Sequence, residues 1–107
     1  MTDEKQEYPD FESIVKECKR VIENNFDDYG NSWKKKGYSL RWWLDRLEKE
    51  IQEVKGERFD GTSASFIFEL TDVINICAFM IDNIKNGRIE DINDLNDIYA
   101  RTWRYSY

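Results

Sequence analysis

A chain of 107 residues, 40% hydrophobic and 15% aromatic, has the length of one domain and enough apolar material for a core. Its 22 acidic and 16 basic residues give a net charge of -6, which argues against binding a nucleic-acid polymer but leaves room for a single nucleotide bridged through a divalent cation. Histidine is absent, which removes histidine-based triads and histidine-ligated zinc and leaves carboxylate, lysine, tyrosine or metal chemistry.

The opening stretch, residues 1–9, is acidic and polar and ends at Pro9. It is expected to be a frayed leader, and without the apolar run of a secretory signal the expected location is the cytoplasm. Asp10 is a suitable N-cap for a first helix. Its stripe is Phe11, Ile14, Val15, Cys18, Val21, Ile22 and Phe26 at three- and four-residue spacing.

Residues 27–39, DDYGNSWKKKGYS, hold two glycines and no sustained period, and read as an aromatic and basic loop. Ser39 then caps a second helix, expected over about 40–55, with Leu44, Leu47, Ile51 and Val54 as its core stripe and Gly56 as its stop. A loop GERFDGTS follows. The third helix is expected to start near Ser63 to Ser65 and to run to about residue 86, with Gly87 ending it. Between Phe66 and Ile84, 13 of 19 residues are apolar and occupy nearly the whole helical wheel, as in a central helix packed on several sides. A membrane span is not expected, because Glu69, Asp72, Asn75, Asp82 and Asn83 interrupt the run. A last helix is expected over about residues 91–104, with Ile92, Leu95, Ile98 and Tyr99 as its stripe, and nothing reads as a strand. Cys18 and Cys77 each lie on an apolar helical face and are read as free thiols, with a bridge between them as the alternative.

Two carboxylate pairs do not fit a structural role easily. Glu50 and Glu53, in EIQE, and Glu69 and Asp72, in ELTD, are each three residues apart, so each pair projects from one side of its helix. By itself EIQE is what a solvated, glutamate-rich helix face also shows. The second pair is harder to explain, because it shares its side of an otherwise apolar helix with Ile76 and Phe79. Buried carboxylates need a positive partner, either basic side chains such as Arg46, Lys49 and Lys55 or a divalent cation. If the second and third helices pack antiparallel, the 15 residues between Glu53 and Glu69 allow all four carboxylates to meet in one pocket.

At these residues the chain resembles the MazG-like, all-α nucleoside triphosphate pyrophosphohydrolases, which carry E-x-x-E on one helix and E-x-x-D on the next. The resemblance covers roughly residues 25–86, with LEKEIQEV and FELTDVINICAF as the motif helices. The expected fold is an all-α, four-helix, MazG-like bundle; a small helical hairpin rarely encloses a nucleotide alone, and the chain's aromatic residues suggest its completion as a homodimer or homotetramer. The implied reaction is Mg²⁺-dependent hydrolysis of a nucleoside triphosphate to the monophosphate and pyrophosphate, with Mn²⁺ as a substitute cation. Glu50, Glu53, Glu69 and Asp72 would then be the metal ligands, and Glu50 or Glu53 the catalytic base. DYGNSW also resembles phage-type relatives associated with nucleotide modification, and phosphoribosyl-ATP hydrolysis belongs to a related branch.

For substrate binding, Lys34, Lys35 and Lys36 are candidates for the phosphates and Tyr29, Trp33 or Tyr38 for the base, while Asn75, Lys85 and Arg88 are the candidates for the contacts that family members place after their second acidic motif. Trp33 is equally suited to plugging the core, and of the tandem Trp42 and Trp43 one is expected in the core and the other at a pocket or subunit interface. The alternative to an enzyme is a non-catalytic helical module, nucleotide-binding or protein-interacting, whose acidic cluster is structural.

Overall fold

The computed structural model describes residues 5–89, and these are helical without a strand among them. Helix α1 spans Phe11–Asn24, a single turn α2 spans Phe26–Tyr29, a 3-10 turn covers Ser32–Lys34, and the long helices α3 and α4 span Leu40–Asp60 and Ser63–Lys85. The all-α expectation holds. The helix expected over 91–104 lies outside the described residues.

Local chemistry explains most boundaries. The Asp10 side chain accepts from the Ser13 amide at the start of α1, and Ser39 accepts from the Trp42 amide at the start of α3, each satisfying an amide that the first helical turn leaves unpaired. Thr62 and Ser65 form a reciprocal capping box at the start of α4. Beyond α4, Gly87 adopts φ +67, and the Arg88 amide turns back to the Asn83 carbonyl.

Two boundaries differ from the sequence reading. α3 does not stop at Gly56 but continues to Asp60, because a mid-helix glycine costs only about 1 kcal/mol and the next residues, Glu57 and Arg58, are good helix formers. Gly61 is the residue that the turn requires, since a Cβ there would collide with the Glu57 carbonyl oxygen. The connection to α4 is therefore only Gly61 and Thr62, which makes α3 and α4 a tight antiparallel hairpin. The second difference is the turn α2 inside the expected loop; Gly30, at φ +54, ends it.

α4 is the central element. It packs along α3, against α1, and against the 3-10 turn. The core is Leu40 and Trp43 of α3, Ile76 of α4 and Ile89, surrounded by Trp33, Tyr38, Leu44, Leu47, Phe79 and Met80. On α1 only Cys18 and Val21 are buried, whereas Phe11 and Val15 are exposed, so the helix uses only part of its apolar stripe; Phe26, expected on that stripe, lies beyond the helix in α2 and is exposed. Both cysteines are free thiols.

Among the described residues, α1 and α3 cover α4 on the side of Thr71, Asn75, Ile76 and Asn83. Ile67, Leu70, Ile74, Ile81 and Ile84 are exposed to different degrees on the remaining side, away from α1 and α3. α4 is long and apolar enough to cross a membrane, yet its polar Thr71, Asn75 and Asn83 are buried.

Those asparagines tie the helices together. Asn75 donates to the Cys18 carbonyl of α1 at 3.2 Å, and Asn83 donates to the Trp33 carbonyl at 2.9 Å while accepting from Arg88. Asn83 is 1% exposed. An Asn83→Ala variant should lose about 1–3 kcal/mol of stability in urea unfolding, since the Trp33 carbonyl loses its donor away from water. Stability within about 0.5 kcal/mol of wild type would contradict this bond's role.

Candidate metal and nucleotide site

The α3–α4 hairpin brings the two acidic motifs together. One carboxylate oxygen each from Glu50, Glu69 and Asp72 lies within 4.8 Å of the other two. Glu50 is buried, and Glu69 and Asp72 are half-buried. Glu53, one turn beyond Glu50, is more exposed and stands outside this tight group. It remains close enough to act on it electrically, and it lines the same cavity as Glu50 and Asp72.

The electrostatics are those of negative groups crowded out of water. Burial pushes the Glu50 carboxyl up to about 7, helped by a hydrogen bond with Glu53 and by the charges of Glu53 and Asp72. Burial likewise raises Glu69, with Asp72, Glu53 and Glu57 adding repulsion, and raises Asp72, with Glu53 adding repulsion.

Arg46 opposes this effect but does not balance it. Its guanidinium reaches Glu50 Oε1 at 3.7 Å, a loose contact from a side chain 40% exposed. Glu50 Oε2 and Glu69 Oε2 are buried and have no hydrogen-bond partner among the described residues. Buried polar atoms are rarely left in that state, and each costs about 1–3 kcal/mol or more when charged. Three hard oxygen donors so close together, two of them with orphaned atoms, are a donor set that Mg²⁺ or Mn²⁺ accepts. The residues therefore fit the group.

The cluster forms one wall of a cavity of about 600 Å³, within the size range of small-molecule pockets. Val21 and Ile22 of α1, Asn25 just past its end, Tyr29 and Gly30 beyond, and Trp33, Tyr38, Trp42 and Trp43 form other parts of the lining. Trp33 stacks on Phe79 with ring centroids 5.0 Å apart, and Tyr38 stacks on Trp42 at 4.0 Å. Trp43 is the core member of the tandem pair and Trp42 the exposed one. Trp33 both packs on the core and faces the cavity, so its two expected roles coexist.

Of the expected substrate contacts, Tyr29, Trp33, Tyr38 and Asn75 line the cavity. Lys34, Lys35, Lys36, Lys85 and Arg88 do not; the lysines are exposed elsewhere, the first three around the end of the 3-10 turn and Lys85 on the last turn of α4, and Arg88 bonds to Asp82 and Asn83. The basic residues in the lining are Arg46 and Lys49. They stand four residues before Glu50 and Glu53, so one face of α3 carries Trp42, Arg46, Lys49, Glu50 and Glu53 together. That spacing was the available signal for them. No family model, curated protein or solved structure matches the chain.

Proposed function

We propose that the chain hydrolyses a nucleoside triphosphate to the monophosphate and pyrophosphate with the help of Mg²⁺ or Mn²⁺. The observation that carries this reading is the pair of orphaned, buried oxygens of Glu50 and Glu69, set in a carboxylate cluster on the wall of a nucleotide-sized cavity. Aromatic rings and two cations share that cavity, as binding a base and phosphates together requires.

Glu50, Glu69 and Asp72 would hold the cation. When bound, it supplies charge neutralisation for phosphate oxygens and Lewis-acid activation of water. Glu53, on the cavity wall but outside the tight trio, is placed to take a proton from a water molecule, and Glu50 is the other carboxylate suited to that step. Arg46 and Lys49 meet phosphates, and Tyr29, Trp33, Tyr38 and Trp42 supply the surfaces for the base. Free nucleotide as substrate places the protein in the cytoplasm.

A second reading, a helical module with a structural acidic cluster, draws on the Arg46–Glu50 contact. One loose guanidinium set against three carboxylates is weak support for it. Pyrophosphate release from a panel of ribo- and deoxyribonucleoside triphosphates with Mg²⁺ separates the two. Release that requires Mg²⁺ and Glu53 supports hydrolysis, and no release from any triphosphate counts against it.

Tyr29 offers a milder probe, because it is largely exposed at the cavity and contributes little to the core. Tyr29→Ala should raise KM roughly 5- to 100-fold, the loss of one stacking partner, with thermal stability unchanged. An unaltered KM would remove Tyr29 from the base platform.

A further inference from the structure

Much of the cavity lining, including Tyr29, Gly30, Ser32, Trp33 and Tyr38, comes from the connection between α1 and α3 and not from a long helix. Such a segment has few repeating hydrogen bonds to fix it, so its shape depends on side chains that reach it from elsewhere. Trp33 is where they reach it. Its ring stacks on Phe79 of α4, and its carbonyl accepts from Asn83 Nδ2 at 2.9 Å.

Arg88 supports Trp33 in two ways. Its Nη1 donates to Asn83 Oδ1 at 3.1 Å and to Asp82 Oδ2 at 2.7 Å, and its guanidinium carbon lies over the Trp33 ring, 5.7 Å from the centre. The bond to Asn83 orients that amide, because with Oδ1 taken by a donor, Nδ2 is the end left to face the Trp33 carbonyl. The contact with the ring is attractive at this distance, a cation against the electron-rich face of an indole. The backbone delivers Arg88 to this place. Gly87, at φ +67, turns the chain back, and the Arg88 amide donates to the Asn83 carbonyl at 2.8 Å. Arg88 itself does not line the cavity, so it acts there through Trp33.

We propose that Arg88 is a positioning residue of the cavity, holding Trp33 by its backbone, through Asn83, and by its ring. A charge pair at the end of α4 alone would not need a guanidinium over an indole, and with Asp82 47% exposed that pair contributes little. Fixing Trp33 before a ligand arrives spares the ligand the cost of ordering the connection. The consequence for substrate rests on the nucleotide reading, in which Trp33 is part of the surface for the base. It falls on KM and not on kcat, since Arg88 takes no part in the carboxylate cluster.

Two measurements on the full chain test this role. Without nucleotide, the Trp33 indole N–H resonance, identified by its loss in Trp33→Phe, should shift in Arg88→Gln. With a triphosphate and Mg²⁺, the same variant should raise KM roughly 5- to 30-fold and leave kcat near wild type. In a Trp33→Leu background Arg88→Gln should add little, because its effect runs through the ring. Asp82→Asn, which removes only the charge of the pair, should leave KM near wild type. An unmoved indole overturns the proposal, and so does an unchanged KM or a loss that adds in full to that of Trp33→Leu. An Asp82→Asn effect as large as that of Arg88→Gln, or a loss of helical circular dichroism in Arg88→Gln, would reduce Arg88 to a support of the fold and overturn it too. A wild type that binds no triphosphate would sink the nucleotide reading, and the indole resonance then decides alone whether Arg88 holds Trp33.

Discussion

Asp72→Asn should lower kcat/KM for the triphosphate by about 10³-fold or more while making the cation-free protein more stable. The two effects share one cause. Asp72 contributes one of the three clustered oxygens, so its loss weakens the grip on the cation and with it the several kcal/mol of transition-state stabilisation that a cation gives to phosphoryl chemistry. Without a cation, the same carboxylate raises Glu50 and Glu69 by repulsion, and its attraction to Arg46 is the smaller effect on it, after burial and Glu53. Removing its charge relieves that repulsion, and urea unfolding should show a gain of about 1 kcal/mol. A structural ion-pair network predicts the opposite sign, since an acidic member that pairs with Arg46 stabilises the fold. Reduced stability together with retained turnover would favour the structural cluster.

Cation-free protein should melt at a lower temperature at pH 8 than at pH 5.5. The carboxyls of Glu50, Glu69 and Asp72 all sit above their ordinary values, chiefly through burial. A raised carboxyl binds its proton more tightly in the folded state than in the unfolded chain. The folded state therefore carries no penalty below the unfolded value near 4.5, and loses stability as pH rises until Glu50 ionises at about 7. The expected loss is on the order of 2 kcal/mol, or roughly 10 °C in melting temperature. Mg²⁺ at millimolar concentration should restore most of it at pH 8 and little at pH 5.5, where protons compete for the same oxygens. A melting temperature that stays level or rises across this window would contradict the crowded-carboxylate account.

Much of this site is legible in the sequence because its information is local. Asp10, Ser39 and Gly87 mark helix ends by their own chemistry, and three-residue spacing places Glu50 with Glu53 and Glu69 with Asp72 on their respective faces. Convergence of the two pairs needed only a short hairpin, and the two-residue connection at Gly61 and Thr62 is shorter still than the pattern implied.

Other features depend on what lies across from a residue, which spacing does not reveal. The lysine run at Lys34 to Lys36 is the densest positive charge in the chain, yet it is absent from the cavity lining, whereas Arg46 and Lys49 line it. Their four-residue offset from the glutamates also reads as ordinary helix ion pairing, and so it does not by itself point to a pocket. α4 shows the same limit. Its apolar wheel indicates a buried helix, but only the fold reveals that, among the described residues, α1 and α3 share one side and Ile67, Ile74 and Ile81 are exposed on another. Gly56 shows that a helix stop depends on the residues following the glycine as well as on the glycine.

Titration of Mn²⁺ into the metal-free chain at pH 7.5, followed by the paramagnetic resonance of the free ion, tests the cation site most directly. Saturable binding of at least about one ion per chain, displaced by Mg²⁺ and lost in the Glu50→Gln, Asp72→Asn double variant, is the predicted result. Mn²⁺ that stays free, or binds the double variant as well as the wild type, would contradict the account.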